Sequence, residues 1–406
     1  ISGGGEGGSI FRMLADGSRL HRYATGFWNP YRTTIDAFGR MFMVDNDADS
    51  RPPCRLNHVV PNGDFGYRFK YGRKGLHPYT SWNGENPGML PMASGVGDGP
   101  SGVLAYESTH LPGDYLGGVF VTAAWIHNRL EFHRLVAAGA SFRTEMKVVI
   151  QGDDNFRPIS ITTAPDGSLY MTDWVDKSYN VHGYGRVWRI RSRKTPTPLP
   201  QATIAARERL LHHDQNTRRR AAKELAAGSQ DDWQYLEDIA RGYKDDRIRV
   251  DAIIALDQID RVSDALVNLL LQDEQQRVRE VAVTRLNLSD SQILSVLSGN
   301  SDDLVKAAAW RKARAKFGDE LYELLTEALA SDDPFLRQAA RQSLVNPGAT
   351  FDLSKPFDSY QSVAVQLAVV LEQQQYAPET LEESLDQLLR HPDEQLRFVA
   401  LKFIGD

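Results

Sequence analysis

The distribution of apolar residues divides the chain into two parts with different periodicities. Up to about residue 193, short runs alternate apolar and polar positions, as in residues 130–133 and 187–190, and Gly-containing turn dipeptides separate them. This pattern is typical of β-strands. From about residue 203 the apolar positions recur with a period near 3.6, which predicts short helices. The sequence therefore predicts an all-β part followed by an all-α part.

An internal repeat organises the first part. Residues 30–45 and 158–173 each run from a proline, through a short strand and a tight turn, to an apolar strand that ends in aspartate. A looser copy occupies residues 99–122. Recurring four-strand units of this kind are typical of β-propeller blades. Residues 1–193 supply three or four blades, fewer than a closed ring needs, so we expect a partial propeller that is incomplete at its N-terminal side.

The second part repeats a different phrase about every 30 residues: an acidic or polar start, an aliphatic residue, Arg or Lys, and then an Ala-rich helix. Asp is a good helix cap, and the basic residue can bond to the acidic cap of a neighbouring repeat. The phrase resembles HEAT-type repeats, so we expect an α-solenoid whose charged face is solvated. Gln366 stands where a seventh basic residue is due. The other copies have Arg218, Arg249, Arg279, Lys306, Arg337 and Arg397 at this position.

A proline-rich segment separates the two parts. Residues 194–202 contain prolines at 196, 198 and 200, a composition that favours a stiff, extended linker. We therefore expect blades over residues 1–193, the linker over 194–202 and helical repeats over 203–406.

Composition narrows the class of function. The net charge of −6 and the pI near 6.0 give no electrostatic reason to expect nucleic-acid or membrane-surface binding. No apolar run approaches the roughly 18 residues that a membrane span requires. Cys54 is the only cysteine, which leaves no internal disulfide, no Cys-x-x-Cys-His haem attachment and no zinc cluster. The sequence also lacks motifs for nucleophilic hydrolysis, nucleotide binding and zinc proteolysis.

The order of four segments in the first part is more specific than any one of them. It resembles the soluble quinoprotein glucose/sorbosone dehydrogenases, and more closely the membrane-bound dehydrogenase-like propeller proteins of planctomycetes and verrucomicrobia. The resemblance covers nearly all of residues 1–193, and relatives of this kind commonly add helical repeats and a c-type haem domain. The segments are Gly26-Phe27-Trp28-Asn29-Pro30, Asp45-Asn46-Asp47, Leu56-Asn57-His58-Val59 and Gly63-Asp64-Phe65-Gly66-Tyr67.

The match to the family's cofactor-binding residues is partial. The resemblance places Asn29 and Arg157 at positions that contact the quinone cofactor or the substrate, whereas Trp28 and Ile159 stand where the family has arginines. The family's pyrroloquinoline quinone (PQQ) carries three carboxylates, which require converging cations. The sequence therefore predicts weak or absent PQQ binding unless other residues replace the lost arginines.

Arg157 has two interpretations. In the first, its guanidinium faces the axial channel of the propeller and binds an anionic group. In the second, it forms a solvated ion pair with Asp153 or Asp154, which precede it in the chain.

A candidate metal site lies in the segment after the first repeat. Asp45, Asn46 and Asp47 supply the oxygen ligands that hard cations prefer, and the corresponding family loop helps to hold calcium. Ser50 and Leu56 occupy the sixth and twelfth positions, so the segment is not an EF-hand. The alternative to a Ca²⁺ site is an Asx-turn, in which these side chains bond to nearby backbone N–H groups.

A candidate substrate site lies in a long loop. His77, Trp82 and Asn83 would offer an aromatic face to a sugar ring and polar groups to its hydroxyls. The alternative is that the aromatic side chains simply cover the core of the loop itself.

Two functions from different classes remain open. The first is a periplasmic or secreted sugar or alcohol dehydrogenase, possessing a PQQ-type cofactor, whose repeats dock a protein partner such as a c-type cytochrome or another electron acceptor. The periplasmic or secreted location is what the resemblance implies. The sequence itself gives no signal for it, since residues 1–5 contain no signal peptide. The second is a non-catalytic propeller-plus-solenoid scaffold in which the cofactor pocket has decayed.

Overall fold

The computed structural model describes residues 7–49, 51–193, 204–315 and 320–405. Every described strand lies between residues 8 and 190, and every described α-helix lies between residues 206 and 405, as the periodicity predicts. The predicted linker, residues 194–202, lies outside the described residues.

The first part contains fourteen described strands and two short 3₁₀ turns, at Phe69–Tyr71 and Gly113–Tyr115. They are β1 (Gly8–Arg12), β2 (His21–Phe27), β3 (Asn29–Ile35), β4 (Met41–Asn46), β5 (Cys54–Val59), β6 (Gly63–Asp64), β7 (Ser94–Val96), β8 (Pro100–Ala105), β9 (Val119–Ala123), β10 (Arg129–Ala138), β11 (Ser141–Gln151), β12 (Pro158–Thr163), β13 (Leu169–Asp173) and β14 (Arg186–Ile190).

The helices of the second part include a further 3₁₀ turn at Phe357–Ser359. They are α1 (Ala206–Leu210), α2 (Gln215–Ala226), α3 (Gln230–Gly242), α4 (Asp246–Gln258), α5 (Asp264–Leu271), α6 (Gln276–Arg285), α7 (Asp290–Ser298), α8 (Asp303–Trp310), α9 (Glu320–Leu329), α10 (Pro334–Gln342), α11 (Val363–Tyr376), α12 (Pro378–Glu383), α13 (Leu385–Leu389) and α14 (Glu394–Gly405). None of these helices is both long and apolar enough to cross a membrane.

The described strands form four sheets from neighbouring stretches of chain. Two sheets have four strands, in the orders β3-β4-β5-β7 and β11-β10-β9-β8, and two have three, β1-β2-β6 and β12-β13-β14. Neighbouring strands are antiparallel except for the short parallel pairing of β2 with β6.

The register of three sheets reproduces the sequence repeat. The repeated proline lies at or next to the start of the first strand, where its missing N–H group costs no ladder hydrogen bond. Gly39 and Gly167, in the turns that follow, have φ values of +88° and +81°, which glycine adopts without strain. Opposite the proline lies the last or next-to-last residue of the second strand. The pairs are Pro30–Asp45, Pro158–Asp173 and, in the looser copy, Pro100–Ala123.

These three sheets meet along their first strands, β3, β8 and β12. Side-chain and backbone hydrogen bonds join each of these strands to the other two. The bonds run from the Ala105 backbone N–H to Thr34 Oγ1 (2.9 Å), from Ser101 Oγ to the Ile159 carbonyl (2.9 Å), and from the Arg32 guanidinium to the Ser160 hydroxyl.

The helices pack as consecutive pairs, from α1 with α2 to α9 with α10. The second helix of each pair also contacts the second helix of the next pair, and α11 and α14 continue this row. Each pair thereby buries its apolar residues against its neighbours, which one pair alone does not achieve.

The repeated basic residue ties the loops of this row together, as its position in the phrase predicts. Arg279 bonds to Asp302, the N-cap residue of α8 in the following pair. Gln366 stands in for arginine in its copy, because its Nε2 donates to the Tyr360 carbonyl at 2.6 Å. Asp residues also cap helices as predicted, with side chains accepting backbone N–H bonds at the starts of α2, α4 and α10.

The row of helices packs directly against the sheets. Phe27 and Val59 of the sheets share one buried cluster with Trp310 and Leu336 of the helices. Charged residues of the helices also face the sheets. Arg40 pairs with Glu280, and Arg247 pairs with Glu107 at 2.8 Å, with at most 11% of any of these side chains exposed. The expectation of a solvated charged face is therefore wrong for this side of the row, because two guanidinium groups and two carboxylates from the two parts neutralise one another there.

Candidate functional site

Most of the candidate residues lie at one end of the sheets, where first strands begin and second strands end. Asn29 begins β3, Asp45 and Asn46 end β4, and Arg157 directly precedes β12. The predicted substrate residues, 77–83, lie in the long segment between β6 and β7. The strand ends therefore bring together parts of the chain that are more than a hundred residues apart.

Asp45 is fully buried and all of its bonds lie within the protein. Its Oδ2 is 2.6 Å from Nη2 of Arg55, which is also fully buried. It also accepts the backbone N–H groups of Trp28 (3.2 Å) and Asn29 (2.7 Å). Burial raises the pKa of the Asp45 carboxyl, and the adjacent guanidinium opposes that rise. Asp45 therefore holds the start of β3 in place, and its oxygens are already occupied.

Arg55 connects the segments that carry the sequence resemblance. Besides Asp45, it donates to the carbonyls of Gly26 (3.2 Å), Phe65 (2.8 Å) and Trp82 (2.8 Å). Its guanidinium carbon also lies 3.6 Å from the centre of the Trp82 ring. One buried cation thus fixes the end of β2 and the two loops around Phe65 and Trp82 next to the end of β4.

The same pairing recurs in the sheet β12-β13-β14. Asp173 lies opposite Arg186, and the two form an ion pair at 2.9 Å. In the looser copy Ala123 lies opposite Arg129, which pairs instead with Glu131. Sequence reasoning identified the repeated aspartate but missed its arginine partner. The available signal was an arginine at the start of the third strand of each copy.

Arg157 is 1% exposed, and its donors bind groups of its own neighbourhood. Nη1 donates to Asn128 Oδ1 (2.6 Å) and to the Ala124 carbonyl (3.0 Å), and Nη2 donates to the Asp154 carbonyl (2.9 Å). Its Nε has no hydrogen-bond partner within the described part of the chain. The guanidinium therefore supports the loop around residue 124, and it forms no solvated ion pair with Asp153 or Asp154.

The residues at the matched positions do not fit PQQ. The Arg157 guanidinium is largely committed to backbone and amide oxygens. Trp28 is 7% exposed and stacks on Phe69, with 5.5 Å between ring centres. The Ile159 carbonyl accepts bonds from neighbouring strands, and its side chain carries no charge. These positions offer no pair of accessible cations for a tricarboxylate.

A candidate metal centre surrounds Cys54. Its Sγ lies 3.1 Å from Asn46 Oδ1, 3.0 Å from Asp47 Oδ1 and 3.9 Å from Asp98 Oδ1. Ligand atoms of Asp47, Cys54 and Asp98 all lie within 4.8 Å of one another. The structure therefore brings two of the three predicted metal ligands together, adds Cys54 and Asp98, and leaves Asp45 with Arg55.

The chemistry of this cluster is compatible with a divalent metal. Burial raises the pKa of the Cys54 thiol, and the hydrogen bond to Asp47 adds to that rise. Burial and the nearby Asp47 charge also raise the pKa of Asp98. Carboxylate and amide oxygens suit Ca²⁺, whereas a sulfur ligand suits softer cations such as Zn²⁺. Sequence reasoning missed Asp98 because it lies 44 residues beyond Cys54.

The predicted substrate residues are not gathered into one surface. Trp82 is 3% exposed, and its Nε1 donates to the Pro53 carbonyl at 2.9 Å. His77 stacks on Tyr71, with 4.4 Å between ring centres, and Asn83 is exposed. Trp82 thus belongs to the core of the loop, which is the second of the two interpretations open for it.

The chain was compared with known proteins. A family model described as a domain of unknown function (DUF7133) matches residues 5–178, and no curated protein matches.

Solved structures are similar to portions of the chain. The PQQ-bound form of an aldose sugar dehydrogenase from Streptomyces coelicolor is 18% identical, with a TM-score of 0.35 over 46% of this chain and 52% of that chain. An archaeal HEAT-like repeats protein from Thermococcus onnurineus NA1 is 18% identical, with a TM-score of 0.26 over 51% of this chain and 97% of that chain. The chain spans about half the length of the dehydrogenase structures that it matches. Dehydrogenases and a HEAT-like repeat protein are thus among the structural neighbours.

Proposed function

We propose that this chain is part of a sugar- or alcohol-dehydrogenase-like β-propeller protein with HEAT-like helical repeats, of the type found in planctomycetes and verrucomicrobia. The observation that carries the proposal is the buried Asp45–Arg55 pair. It joins the segments around Gly26, Asp45 and Phe65, whose order along the chain carries the sequence resemblance. The meeting of three sheets along their first strands supports the assignment of these sheets to blades of a partial propeller.

The proposed reaction transfers two electrons and two protons from the hydroxyl-bearing carbon of a sugar or alcohol to a quinone-type acceptor, which becomes the hydroquinone. PQQ does not fit at the matched positions, so no role in this chemistry is assigned to Arg157 or Asn29. The proposal also includes a divalent-cation site, formed by Asn46, Asp47, Cys54 and Asp98. A divalent cation held there would place positive charge at the end of the sheets where the family's arginines are lost.

Divalent metal is expected to raise the melting temperature, because a ligand of the native state stabilises that state. Wild-type protein is compared in chelator, in millimolar Ca²⁺ and in micromolar Zn²⁺ by differential scanning fluorimetry. We expect Asp98→Asn to remove the increase in melting temperature with either metal. We expect Cys54→Ser to reduce the response to Zn²⁺ more than the response to Ca²⁺.

Asp49→Asn is the control for this metal experiment. Asp49 lies two residues after Asp47, but its carboxylate pairs with Arg73 at 2.8 Å, outside the cluster. The control is expected to respond to metal as the wild type does. A wild-type melting curve that neither metal changes would leave only local turn hydrogen bonds for Asn46 and Asp47.

The function itself is tested by dye-linked oxidation. The purified protein is supplied with aldoses and alcohols and an artificial electron-accepting dye, and its absorption spectrum is recorded before and after substrate addition. We expect dye reduction that added PQQ does not stimulate, with the dye taking the place of the quinone-type acceptor. Absence of dye reduction with every sugar and alcohol would contradict a dehydrogenase.

A non-catalytic interaction scaffold is the second candidate function. It is favoured by the committed donors of Arg157 and by the packing of Trp28 at a family arginine position. In that case the role of the sheets is structural: they pack against the helices and stabilise them.

Partners and location follow from the same resemblance. A protein partner would dock on helix surfaces that face away from the sheets, since the opposite side is occupied by contacts such as Arg247–Glu107. For a dehydrogenase this partner is an electron acceptor such as a c-type cytochrome, and the proposed location is periplasmic or secreted.

A further inference from the structure

A cleft of about 540 Å³ separates the loop of residues 84–89 from helices α10, α11 and α14. Its volume lies within the usual range of roughly 300–1,000 Å³ for small-molecule sites. Its apolar walls include Met89, Leu367, Leu371, Phe398 and Leu401. The cleft is therefore large enough, and apolar enough, to hold the apolar body of a small ligand between the two parts of the chain.

Two arginines that line this cleft are copies of the repeated basic residue. Arg337 donates through Nη1 to the Ser331 carbonyl at 2.6 Å, and Arg397 donates through Nη1 to the His391 carbonyl at 2.6 Å. Each thus makes the bond to its own inter-helix loop that the repeat uses elsewhere. Among the described residues no acceptor lies within hydrogen-bond distance of Nε or Nη2 of either guanidinium, so these groups can bind a second partner.

Earlier copies show what that second partner is. The guanidinium groups of Arg218, Arg249 and Arg279 each bind a carboxylate as well as loop carbonyls. The carboxylates belong to Asp251, Asp273 and Asp302 of the following repeat. Arg337 and Arg397 have no carboxylate within ion-pair distance among the described residues. Burial lowers the pKa of the Arg337 guanidinium, and the more distant carboxylates of Asp333 and Asp332 oppose that change.

The remaining polar groups of the cleft refine the expected ligand. Of the two carboxylates that line it, Glu85 pairs with Arg51 at 3.0 Å and Glu394 is exposed to solvent. Arg341 is already neutralised, because its Nε pairs with Glu372 at 2.8 Å. Gln338 also lines the cleft, is 4% exposed and donates through Nε2 to the Pro61 carbonyl. Its Oε1 has no hydrogen-bond partner in the described ranges, and a buried acceptor of this kind is costly unless a donor reaches it.

We propose that this cleft binds a small amphipathic carboxylate. Its apolar body would pack on Leu367, Leu371 and Phe398, and its carboxylate would replace the aspartate that Arg337 and Arg397 lack. An N–H or O–H group near the carboxylate would donate to Oε1 of Gln338. This site is separate from the cluster around Cys54 and does not depend on the proposed dehydrogenase activity.

The probe for this site is N-decanoylglycine, which combines an alkyl chain, an amide N–H group and a carboxylate. Its uncharged methyl ester is the matched control ligand, and binding is measured by isothermal titration calorimetry at low ionic strength. We expect the acid to bind at least about tenfold more tightly than the ester, because charge-assisted bonds to guanidinium are stronger than neutral ones. Equal binding of acid and ester, or no binding of the acid, would overturn the proposal.

The matched variants are Arg337→Gln and Arg397→Gln. Gln366 shows that glutamine at this repeat position keeps the bond to its loop carbonyl, so these changes remove the charge while preserving the local fold. We expect each to weaken binding of the acid about tenfold or more and to leave binding of the ester unchanged. Arg279→Gln removes the equivalent charge outside the cleft and is expected to leave binding of the acid unchanged. Acid binding that is indifferent to both cleft variants would also overturn the proposal.

Discussion

Replacing Arg55 by methionine is expected to lower the free energy of unfolding by about 3–5 kcal/mol, the usual cost of leaving a buried partner charge uncompensated. The variant leaves the fully buried Asp45 carboxylate without its cation. It also removes the donors that reach the carbonyls of Gly26, Phe65 and Trp82. The change is measured by urea denaturation, followed by circular dichroism.

Arg73→Met is the matched control for this prediction. Arg73 pairs with Asp49 close by, but the two side chains are 58% and 47% exposed. Exposed pairs contribute at most about 1 kcal/mol, so the control should unfold almost as the wild type does. Similar losses for the two variants would show that the buried pair does not hold these three segments together.

Asp36 is expected to make the protein less stable as the pH rises from about 4 to about 7. Burial, chiefly, raises its pKa from 3.8 to about 7, and the nearby carboxylates of Glu107 and Glu280 add to the rise, while Arg40 opposes it. Because the pKa is higher in the folded state, the folded state binds more protons in this range, and stability falls with pH until Asp36 is ionised. The expected loss is of the order of a few kcal/mol.

Asp36→Asn isolates this contribution. Asparagine keeps an oxygen for the backbone N–H groups of Phe38 and Arg40, both 2.9 Å from Asp36 Oδ1, but it does not ionise. Urea denaturation at a series of pH values should show the variant gaining stability relative to the wild type between pH 4 and 8. A difference between the two proteins that stays constant over this range would contradict the assignment.

Much of the architecture could be predicted because it depends on patterns of apolar and polar residues that are close together in the sequence. The apolar runs that end at Asp45 and Asp173 form strands β4 and β13, and the repeat predicts their common register. In the helices, the spacing places Gln366 at a basic position of the repeat, and the structure shows that it bonds to a loop carbonyl as the arginines do. Period and spacing are properties of neighbouring residues, so one sequence is enough to read them.

The candidate site was less predictable because its contacts join distant segments. Asp45 looked like a metal ligand beside Asn46 and Asp47, but its partner across the sheet is Arg55, which closes it to a cation. Arg157 looked free to bind an anion or an exposed acid, yet the loop around residue 124 surrounds it with acceptors. Neither partner follows from spacing along the chain, because loop lengths differ between copies of the repeat.

The packing of the helices on the sheets was also not apparent from the sequence. Arg247 and Glu280 belong to a charged phrase that is typical of a solvated face. The structure places them opposite Glu107 and Arg40, so that the charges of each part complement those of the other. Complementarity of this kind appears only when both surfaces are known.

The central claim is that the end of the sheets resembles that of the dehydrogenases but lacks the cations that bind the family's cofactor. Titration of PQQ into the protein in the presence of Ca²⁺ tests this claim most directly. Isothermal titration calorimetry of the wild type should detect no binding at micromolar PQQ, because Trp28 is packed and Arg157 is committed to internal acceptors. Arg157→Ala is titrated in parallel, after its folding has been checked by circular dichroism. Micromolar or tighter binding by the wild type that is lost in this variant would contradict the account.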